Sequence, residues 1–430
     1  MDLEQKIQSK AAKVGVIGLG YVGLPLALHF SEAGLDTTGF DIDEDKVEKL
    51  NRGESYIRHI PAARLASVKD HFRATMDMGT LGTMDAILVC VPTPIHEDRT
   101  PDLTYLIRTA EDITLTLRPG QLIAVESSTY PGTTEEKLLP ILSRNGLKVG
   151  TDFFLVYSPE REDPGNTEFT VGNIPKVIGG VTPQCLRLGI ALYSHITEKL
   201  VPVSSPAAAE ATKMLENVYR AVNIATVNEM KMIFDRMGLD VWEIIEAAKT
   251  KPFGFQAFYP GLGPGGHCIP VDPFFLSWKA KQVGTEAKFI ELAGEVNSYM
   301  PYYAIGKIRE ALSARGKKLG NASILVLGIA YKKDVDDARE SPAIDLMEIL
   351  RREGAVVDYN DPYIPHLTPI RHHDFDVRSV DLTAEALRRY DCVVLATDHS
   401  FYDYEFLLQH AACVVDTKNM FPKHEKVMKA

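Results

Sequence analysis

The run Val14-Gly15-Val16-Ile17-Gly18-Leu19-Gly20-Tyr21-Val22-Gly23 limits the fold of this chain more than any other stretch. An apolar strand enters G-x-G-x-x-G, and the glycines open a helical pattern, LPLALHFSEAG. In that setting Gly18 makes the tight turn, Gly20 lets the backbone approach a pyrophosphate, and Gly23 allows close helix packing. Tyr21 and Val22 lie between the last two glycines, at the helix N-terminus where phosphates are received. The next apolar run ends in Gly39-Phe40-Asp41, which puts a carboxylate at the distance expected for a ribose 2′-hydroxyl partner. A carboxylate there repels a 2′-phosphate, so the cofactor expected is NAD rather than NADP. Lys46, five residues on, has two readings: approach to the adenosine end, or plain solvation.

Candidate strands at 14–17, 36–40, 86–91, 122–126, 153–157 and 176–178 alternate with amphipathic stretches, the pattern of a doubly wound parallel sheet. The turn Val91-Pro92-Thr93-Pro94 and the run Ser127-Ser128-Thr129 both follow buried strands, at the carboxyl edge where open α/β sheets bind ligands. Pro92, Thr93, Ser128 and Thr129 therefore join the cofactor-binding candidates. After Pro206 the pattern changes to AAAEATKMLENVYRAVNIATVNEMKMIFDRMG, a helical period with no proline or glycine before Gly238. That length suits a spine between domains. A loop rich in Gly, Pro and aromatics follows, then more helix, and from Ser323 the βα alternation resumes with SILVLG, AVVDYN, CVVLAT and ACVVDT. The expected fold is α/β, with two Rossmann-like doubly wound domains joined by a long central helix. The domain boundaries expected are 1–204 for the NAD domain, 205–318 for the helical domain with the cysteine loop, and 319–430 for the second α/β domain.

With 430 residues the chain is long enough for two or three cores. A net charge of -11 excludes a general nucleic-acid binder, because no basic face is available to release counterions. Five cysteines, without a CxxC pair or Cys/His ligand spacing, indicate neither a disulfide framework nor a metal site. The polar start MDLEQKIQSKAAK lacks a signal-peptide core, and no run approaches bilayer length. The expectation is a cytoplasmic protein with no membrane partner.

The loop GPGGHCIPVDP, residues 263 to 273, separates Cys268 from the other four cysteines. Cys90, Cys185, Cys392 and Cys413 sit in or beside apolar runs and read as small buried hydrophobes. Cys268 follows three glycines that let a ligand approach the backbone, and reads as a reactive thiol. His267 is adjacent, but neighbouring side chains on an extended segment point apart, so it is not the base. Asp272 either positions a hydrolytic water or is a turn residue before Pro273. Lys213 and Asn217, four apart on the long helix, share a face and can stabilise an oxyanion and orient a water, with Asn223 and Asn228 further along.

Together these stretches resemble the UDP-glucose/GDP-mannose dehydrogenase family over nearly the whole chain. The matching motifs are GLGYVGLPLA at 18–27, VPTP at 91–94, SST at 127–129, SPER at 158–161, KMLEN at 213–217, the cysteine loop ending at 273, and AYKKDVDDARESP at 330–342. The resemblance implies an N-terminal NAD domain, a central helix that forms a homodimer or higher homo-oligomer, and a C-terminal domain that holds UDP. It implies a four-electron oxidation of a sugar C6 alcohol to a carboxylate with two NAD. In that chemistry Cys268 captures the aldehyde, Lys213 and Asn217 stabilise the oxyanion, and Asp272 manages the hydrolytic water. Thr129 and Glu160 match positions assigned to proton transfer. Tyr331 and Lys332 match a substrate-binding pair, Glu160 and Arg161 lie in the substrate motif, and Tyr259 and Gly265 lie on the loop that cradles sugar and phosphate. Arg339 matches a residue that reaches NAD.

The SPERxxPG form, residues 158–165, looks like the branch that oxidises UDP-N-acetylhexosamines. GESYIRHI at 53–60 and KPFGFQAFYPG at 251–261 add to a likeness to members acting on UDP-N-acetylglucosamine, with UDP-N-acetylmannosamine, UDP-N-acetylgalactosamine and UDP-glucose as rivals. One departure is that the basic residue UDP-glucose members carry ahead of the cysteine loop matches Lys251 only with a shifted alignment. More distant readings are a two-electron hydroxyacid dehydrogenase, which does not need the second α/β domain, and a silent sensor of NAD and nucleotide sugar, which has no use for a poised thiol.

Overall fold

The computed structural model describes residues 1–58, 60–96, 98–161, 172–266, 268–369 and 373–430. Eight strands build the first sheet: β1 (Lys13–Ile17), β2 (Asp36–Phe40), β3 (Phe72–Thr75), β4 (Ala86–Val89), β5 (Gln121–Val125), β6 (Phe153–Tyr157), β7 (Lys176–Gly180) and β8 (Leu200–Val203). Their order is β3-β2-β1-β4-β5-β6-β7-β8, parallel throughout except between β6 and β7. The first six follow the dinucleotide-binding order, with the topological switch between β1 and β4. Every residue of β4 to β7 is buried, and since side chains alternate sides, both faces of the sheet are covered. The apolar runs of the sequence mark six of these strands. Strand β3, FRAT, leaves no such mark, because a short, partly exposed edge strand needs no continuous apolar run, and β8, LVPV, carries Pro202, which is tolerated only on an edge strand.

The second sheet contains β9 (Ser323–Leu327), β10 (Val356–Asn360), β13 (Cys392–Leu395), β14 (Val414–Asp416) and β15 (Val427–Lys429), ordered β10-β9-β13-β14-β15 and all parallel. A small antiparallel pair, β11 (His366–Leu367) and β12 (Val377–Arg378), lies outside it. The period-2 alternation is visible in the packing: Ile324, Val326, Val394 and Val415 belong to one core, while Leu325, Leu327, Val393, Leu395 and Val414 belong to another. The two sheets share a local device. Gly18 and Gly328 both take left-handed φ, 88° and 77°, and donate to the last carbonyls of the neighbouring strands, Phe40 O at 2.7 Å and Asn360 O at 2.8 Å. Asp41 then accepts from Leu19 N at 2.8 Å, and Asp361 accepts from Ile329 N at 2.8 Å.

The described chain divides into two compact units, residues 1–216 with 274–285, and residues 217–273 with 286–430. Two helices are continuous across that division, Pro206–Arg236 and Asp272–Gln282. The first of these runs 31 residues, as its unbroken helical period predicts. Lys213, Met214, Asn217, Ala221, Ala225 and Asn228 form its buried face, whereas Leu215, Tyr219 and Ile233 are exposed. Among the described residues no helix is long and apolar enough to cross a membrane.

Candidate active site

In the first unit the glycine turn has the geometry a dinucleotide needs. A Cβ on Gly18 would lie 2.7 Å from Cys90 O, and one on Gly23 would lie 1.8 Å from Gly18 O, so both positions require glycine for the turn itself. Gly20 is different: a Cβ there meets nothing within 4 Å. Its missing side chain leaves open space over the turn, which fits the approach of a pyrophosphate. Asp41 is used twice by the backbone, accepting from Leu19 N at 2.8 Å and Asp43 N at 3.0 Å. The Lys46 ammonium lies 3.8 Å from Asp41 and 3.7 Å from Asp43, so this lysine attends both carboxylates. Val22 precedes the helix Gly23–Glu32 without a side-chain cap, and Tyr21 packs on the small core around Leu19 and Leu24.

Beyond the switch point, Pro92 is exposed and Thr93 buried in the turn after β4. Ser127 Oγ ties the next loop to that turn by donating to Val91 O at 2.7 Å. Ser128 and Thr129 are buried in the loop after β5. Glu210, from the long helix, gathers this loop: it accepts from Thr129 Oγ1 at 3.2 Å, Gly132 N at 2.6 Å, Thr134 N at 2.9 Å and Thr134 Oγ1 at 2.7 Å. Burial pushes its carboxyl up to about 7, against the pull of those four donors. Nothing in the sequence marks Glu210, because its partners lie 76 to 81 residues away.

Glu160 is also buried, three residues past β6. Its Oε1 accepts from Arg161 N at 2.7 Å and its Oε2 from Lys176 Nζ at 3.1 Å. The antiparallel course of β7 brings its first residue, Lys176, to the carboxyl edge of β6. Lys176 also donates to Glu126 Oε2 at 2.8 Å, and Tyr193 Oη donates to Glu126. Arg161 Nε lies 3.4 Å from Glu216. Residues 162–165 of the SPERxxPG motif lie outside the described residues, as does His267. Lys213 is buried in the first unit, on the face of the long helix that the spacing predicts.

In the second unit Cys268 is exposed and Cys392 and Cys413 are buried, while in the first Cys185 is buried and Cys90 half-buried. Asp272 opens the helix Asp272–Gln282 and is itself fully buried. Its N–H donates to Cys268 O at 2.8 Å, so thiol and carboxylate belong to the same turn. Asn217 Nδ2 donates to Asp272 Oδ2 at 2.7 Å, which ties that carboxylate to the long helix. Asn228 accepts from Gly261 N at 3.0 Å and donates to Asn297 Oδ1 at 2.9 Å, holding the start of the loop. Asn223 instead donates to Tyr219 O within its own helix, at 2.7 Å.

The cysteine loop meets the loop after β9 directly. A Cβ on Gly265 would lie 2.7 Å from Tyr331 Cβ, and Gly266, at φ 79°, would put one 2.8 Å from the Tyr331 ring. Gly266 N donates to Arg339 O at 3.2 Å. Tyr331 and Lys332 therefore sit where the second sheet switches direction, between β9 and β13, beside Gly265 and Arg339. The Arg339 guanidinium is held on Asp337, at 2.7 to 3.1 Å, and is half exposed. Tyr259 is committed elsewhere through its hydroxyl, which donates to Glu246 at 2.6 Å while its ring stacks on Trp242. Lys418 follows β14, and nothing in the sequence marks it as buried. Burial holds its ammonium below the ordinary lysine range, and it lies 3.5 Å from where a Gly261 Cβ would be.

Models of known protein families match the chain in three places. The NAD binding domain of the UDP-glucose/GDP-mannose dehydrogenase family matches residues 12–197, the central domain of that family 207–299, and its UDP binding domain 325–423. A UDP-N-acetyl-D-glucosamine 6-dehydrogenase from Pseudomonas aeruginosa is 37% identical over 393 residues, covering 91% of each chain. A UDP-N-acetyl-D-mannosamine dehydrogenase from Pyrococcus horikoshii is 34% identical over 396 residues, covering 90% of this chain and 89% of that one. Among solved structures, UDP-D-ManNAc dehydrogenase from Pyrococcus horikoshii superimposes with a TM-score of 0.88 at 31% identity, covering 97% of this chain and 98% of that one.

Proposed function

The chain belongs to the UDP-glucose/GDP-mannose dehydrogenase family, and on that premise we propose that it oxidises the C6 hydroxyl of UDP-N-acetylglucosamine to the uronic acid. It is an NAD-dependent UDP-sugar 6-dehydrogenase with a UDP-binding domain. The observation that carries the mechanism is the shared turn of Cys268 and Asp272: an exposed thiol next to a buried carboxylate that Asn217 holds at 2.7 Å. The N-acetylglucosamine choice is supported by the SPER and GESYIRHI segments and by the likeness to the Pseudomonas aeruginosa enzyme. N-acetylmannosamine is the rival that the Pyrococcus horikoshii relative supports.

NAD, when bound, accepts the hydride that leaves C6 in each of the two oxidations. Gly18, Gly20, Gly23 and Asp41 would hold it, with Lys46, Thr93, Ser128 and Arg339 as further contacts. In the first oxidation C6 loses a hydride and its hydroxyl a proton, which the Glu160 carboxylate takes, directly or relayed through the Thr129 hydroxyl. The Cys268 thiolate then adds to the aldehyde carbon, and the thiohemiacetal oxygen is stabilised by Lys213 and Asn217. Loss of a second hydride and the hydroxyl proton leaves a thioester. Water positioned by Asp272 adds to that carbonyl, the C–S bond breaks, and the thiol is restored with the carboxylate product. The covalent tether keeps the aldehyde from escaping between the two oxidations. Tyr331, Lys332, Arg161 and Gly265 would hold the nucleotide sugar.

The exposed stripe Leu215, Tyr219 and Ile233 supports self-association of the long helix as a homodimer or larger homo-oligomer, and five free thiols suit the reducing cytoplasm. The test of the activity is NADH yield against a panel of UDP-sugars. UDP-N-acetylglucosamine should give two NADH per sugar and the best kcat/KM, and Cys268→Ser should form no acid while keeping the wild-type fold by circular dichroism. One NADH per sugar in the wild type would sink the thioester route. A better kcat/KM on UDP-N-acetylmannosamine would reassign the sugar.

A further inference from the structure

We propose that Lys176 is a positioning residue for the proton chemistry of Glu160, and that Glu126 is its second seat: the ammonium is shared between the two carboxylates so that Glu160 can gain and lose a proton. This rests on the reading of Glu160 as a proton-transfer residue. The three charged side chains are almost wholly buried, with side-chain exposures of 5% for Lys176, 0% for Glu126 and 8% for Glu160. Lys176 Nζ lies 2.8 Å from Glu126 Oε2 and 3.1 Å from Glu160 Oε2. The register of β6 and β7 produces this meeting: Tyr157 pairs with Gly179, and continued outward it sets Glu160 opposite Lys176. Glu126 is the first residue after β5, on the next strand over.

Two buried carboxylates and one ammonium carry a net charge of minus one, which becomes zero when one carboxylate holds a proton. A low-dielectric site favours the neutral sum, and it penalises any ammonium left without a partner. Burial by itself would lower Lys176, yet the two carboxylates more than reverse this and raise it well above the ordinary lysine value. Burial raises Glu126, and Lys176 opposes that rise. The arrangement therefore does for Glu160 what a single ion pair cannot. When Glu160 accepts the proton of the substrate hydroxyl, Lys176 remains paired to Glu126; when that proton passes on to water, Lys176 again serves both. A small cavity lined by Pro159, Glu160, Arg161, Ile174, Pro175 and Lys176 borders the Glu160 end of the cluster.

Other charged or titratable groups face this cluster from the elements around it. Tyr193 comes from the helix Pro183–Tyr193, donates to Glu126, and is raised by burial and by that carboxylate. Cys90, in the turn after β4, is raised by burial and by Glu126, and both groups stay neutral at ordinary pH. His29, on the helix Gly23–Glu32, is lowered by burial and by Arg64. Lys213 adds a positive charge from the long helix, and Arg161 adjoins Glu160 and pairs with Glu216. All of these are common to the variants below, so differences among those variants report the cluster.

The experiment follows kcat against pH, with NAD and the best UDP-sugar, for wild type, Glu126→Gln, Lys176→Met, Lys176→Arg and Glu160→Gln. As a base Glu160 must be ionised, so kcat falls on the acid side as it gains a proton. Removing the Glu126 charge should move that acid limb down by about one pH unit, and removing the Lys176 charge should move it up by about one. Lys176→Met should lower kcat by about 10- to 100-fold with KM nearly unchanged, and Lys176→Arg should restore most of it. Acid limbs that stay in place, or move the same way in Glu126→Gln and Lys176→Met, overturn the proposal. Should Lys176→Met not fold, the near-isosteric Glu126→Gln decides by itself: a downward shift supports the sharing, and no shift overturns it. If Glu160→Gln keeps wild-type kcat, the reading of Glu160 fails and takes this inference with it. If Glu160→Gln loses activity while the limbs do not part, only the inference fails.

Discussion

Glu210 has four donors around one carboxylate and still sits up at about 7, which means that loss of water outweighs the hydrogen bonds. The sign of its effect on stability follows. A carboxyl whose folded value is raised stabilises the fold fully below its unfolded value, and that contribution is lost as pH rises through about 7. The Tm advantage of wild type over Glu210→Gln should therefore be larger below about pH 5 than above about pH 8, read by thermal unfolding of both proteins. An advantage that grows with pH would show that the four donors hold the carboxyl ionised. Activity has a separate expectation, because Glu210 fixes the loop that carries Thr129. Glu210→Ala should reduce kcat by about tenfold or more, since a small misplacement of catalytic groups has effects of that size.

At the scale of the element, the glycine turn between β1 and the helix Gly23–Glu32 sets its glycines in different surroundings. Gly23→Ala drives a methyl to 1.8 Å from Gly18 O, and backbone cannot move aside cheaply. It should destabilise by about 1–3 kcal/mol, as overpacked sites do, measured by urea unfolding. Gly20→Ala meets nothing within 4 Å, so its stability should stay within about 0.5 kcal/mol of wild type. Its methyl would instead occupy the space left for the pyrophosphate, and the Kd for NAD should rise about tenfold or more, equivalent to about 1.4 kcal/mol. Unchanged NAD affinity in folded Gly20→Ala would show that the cofactor does not use that opening. The helix Asp272–Gln282 gives a second case of an element altering a residue's meaning. Asp272 reads in the sequence as a turn residue or a catalytic one, and the structure makes it the opening residue of a helix, buried and bonded to Asn217.

For the whole molecule, the exposed stripe of the long helix carries the expectation about assembly. Leu215 and Ile233 are 18 residues apart, five full turns, and so point the same way. They are 67% and 43% exposed, and the dimer proposed above would cover them. Wild type should sediment as a dimer or larger, and Leu215→Glu combined with Ile233→Glu should shift it towards the 47.6 kDa monomer. A monomeric wild type would remove the role proposed for the stripe.

The sequence by itself determined the features whose physical cause is local. A strand followed by spaced glycines describes a backbone conformation formed within about thirty residues, so the turn and the NAD-binding domain were legible. The 3.6-residue period placed Lys213 and Asn217 on one buried face for the same reason, and Cys268, which the loop marks as a reactive thiol, is exposed. Two edge strands escaped, β3 because its half-exposed place demands no apolar pattern and β8 because Pro202 interrupts its run. Only the tertiary structure decided the partnerships within the site. Lys176 reaches Glu126 across 50 residues and Glu160 across 16, and Glu210 reaches Thr129 across 81. Those charges matter because water is excluded around them, and exclusion of water is a property of packed neighbours, which no single stretch of chain records.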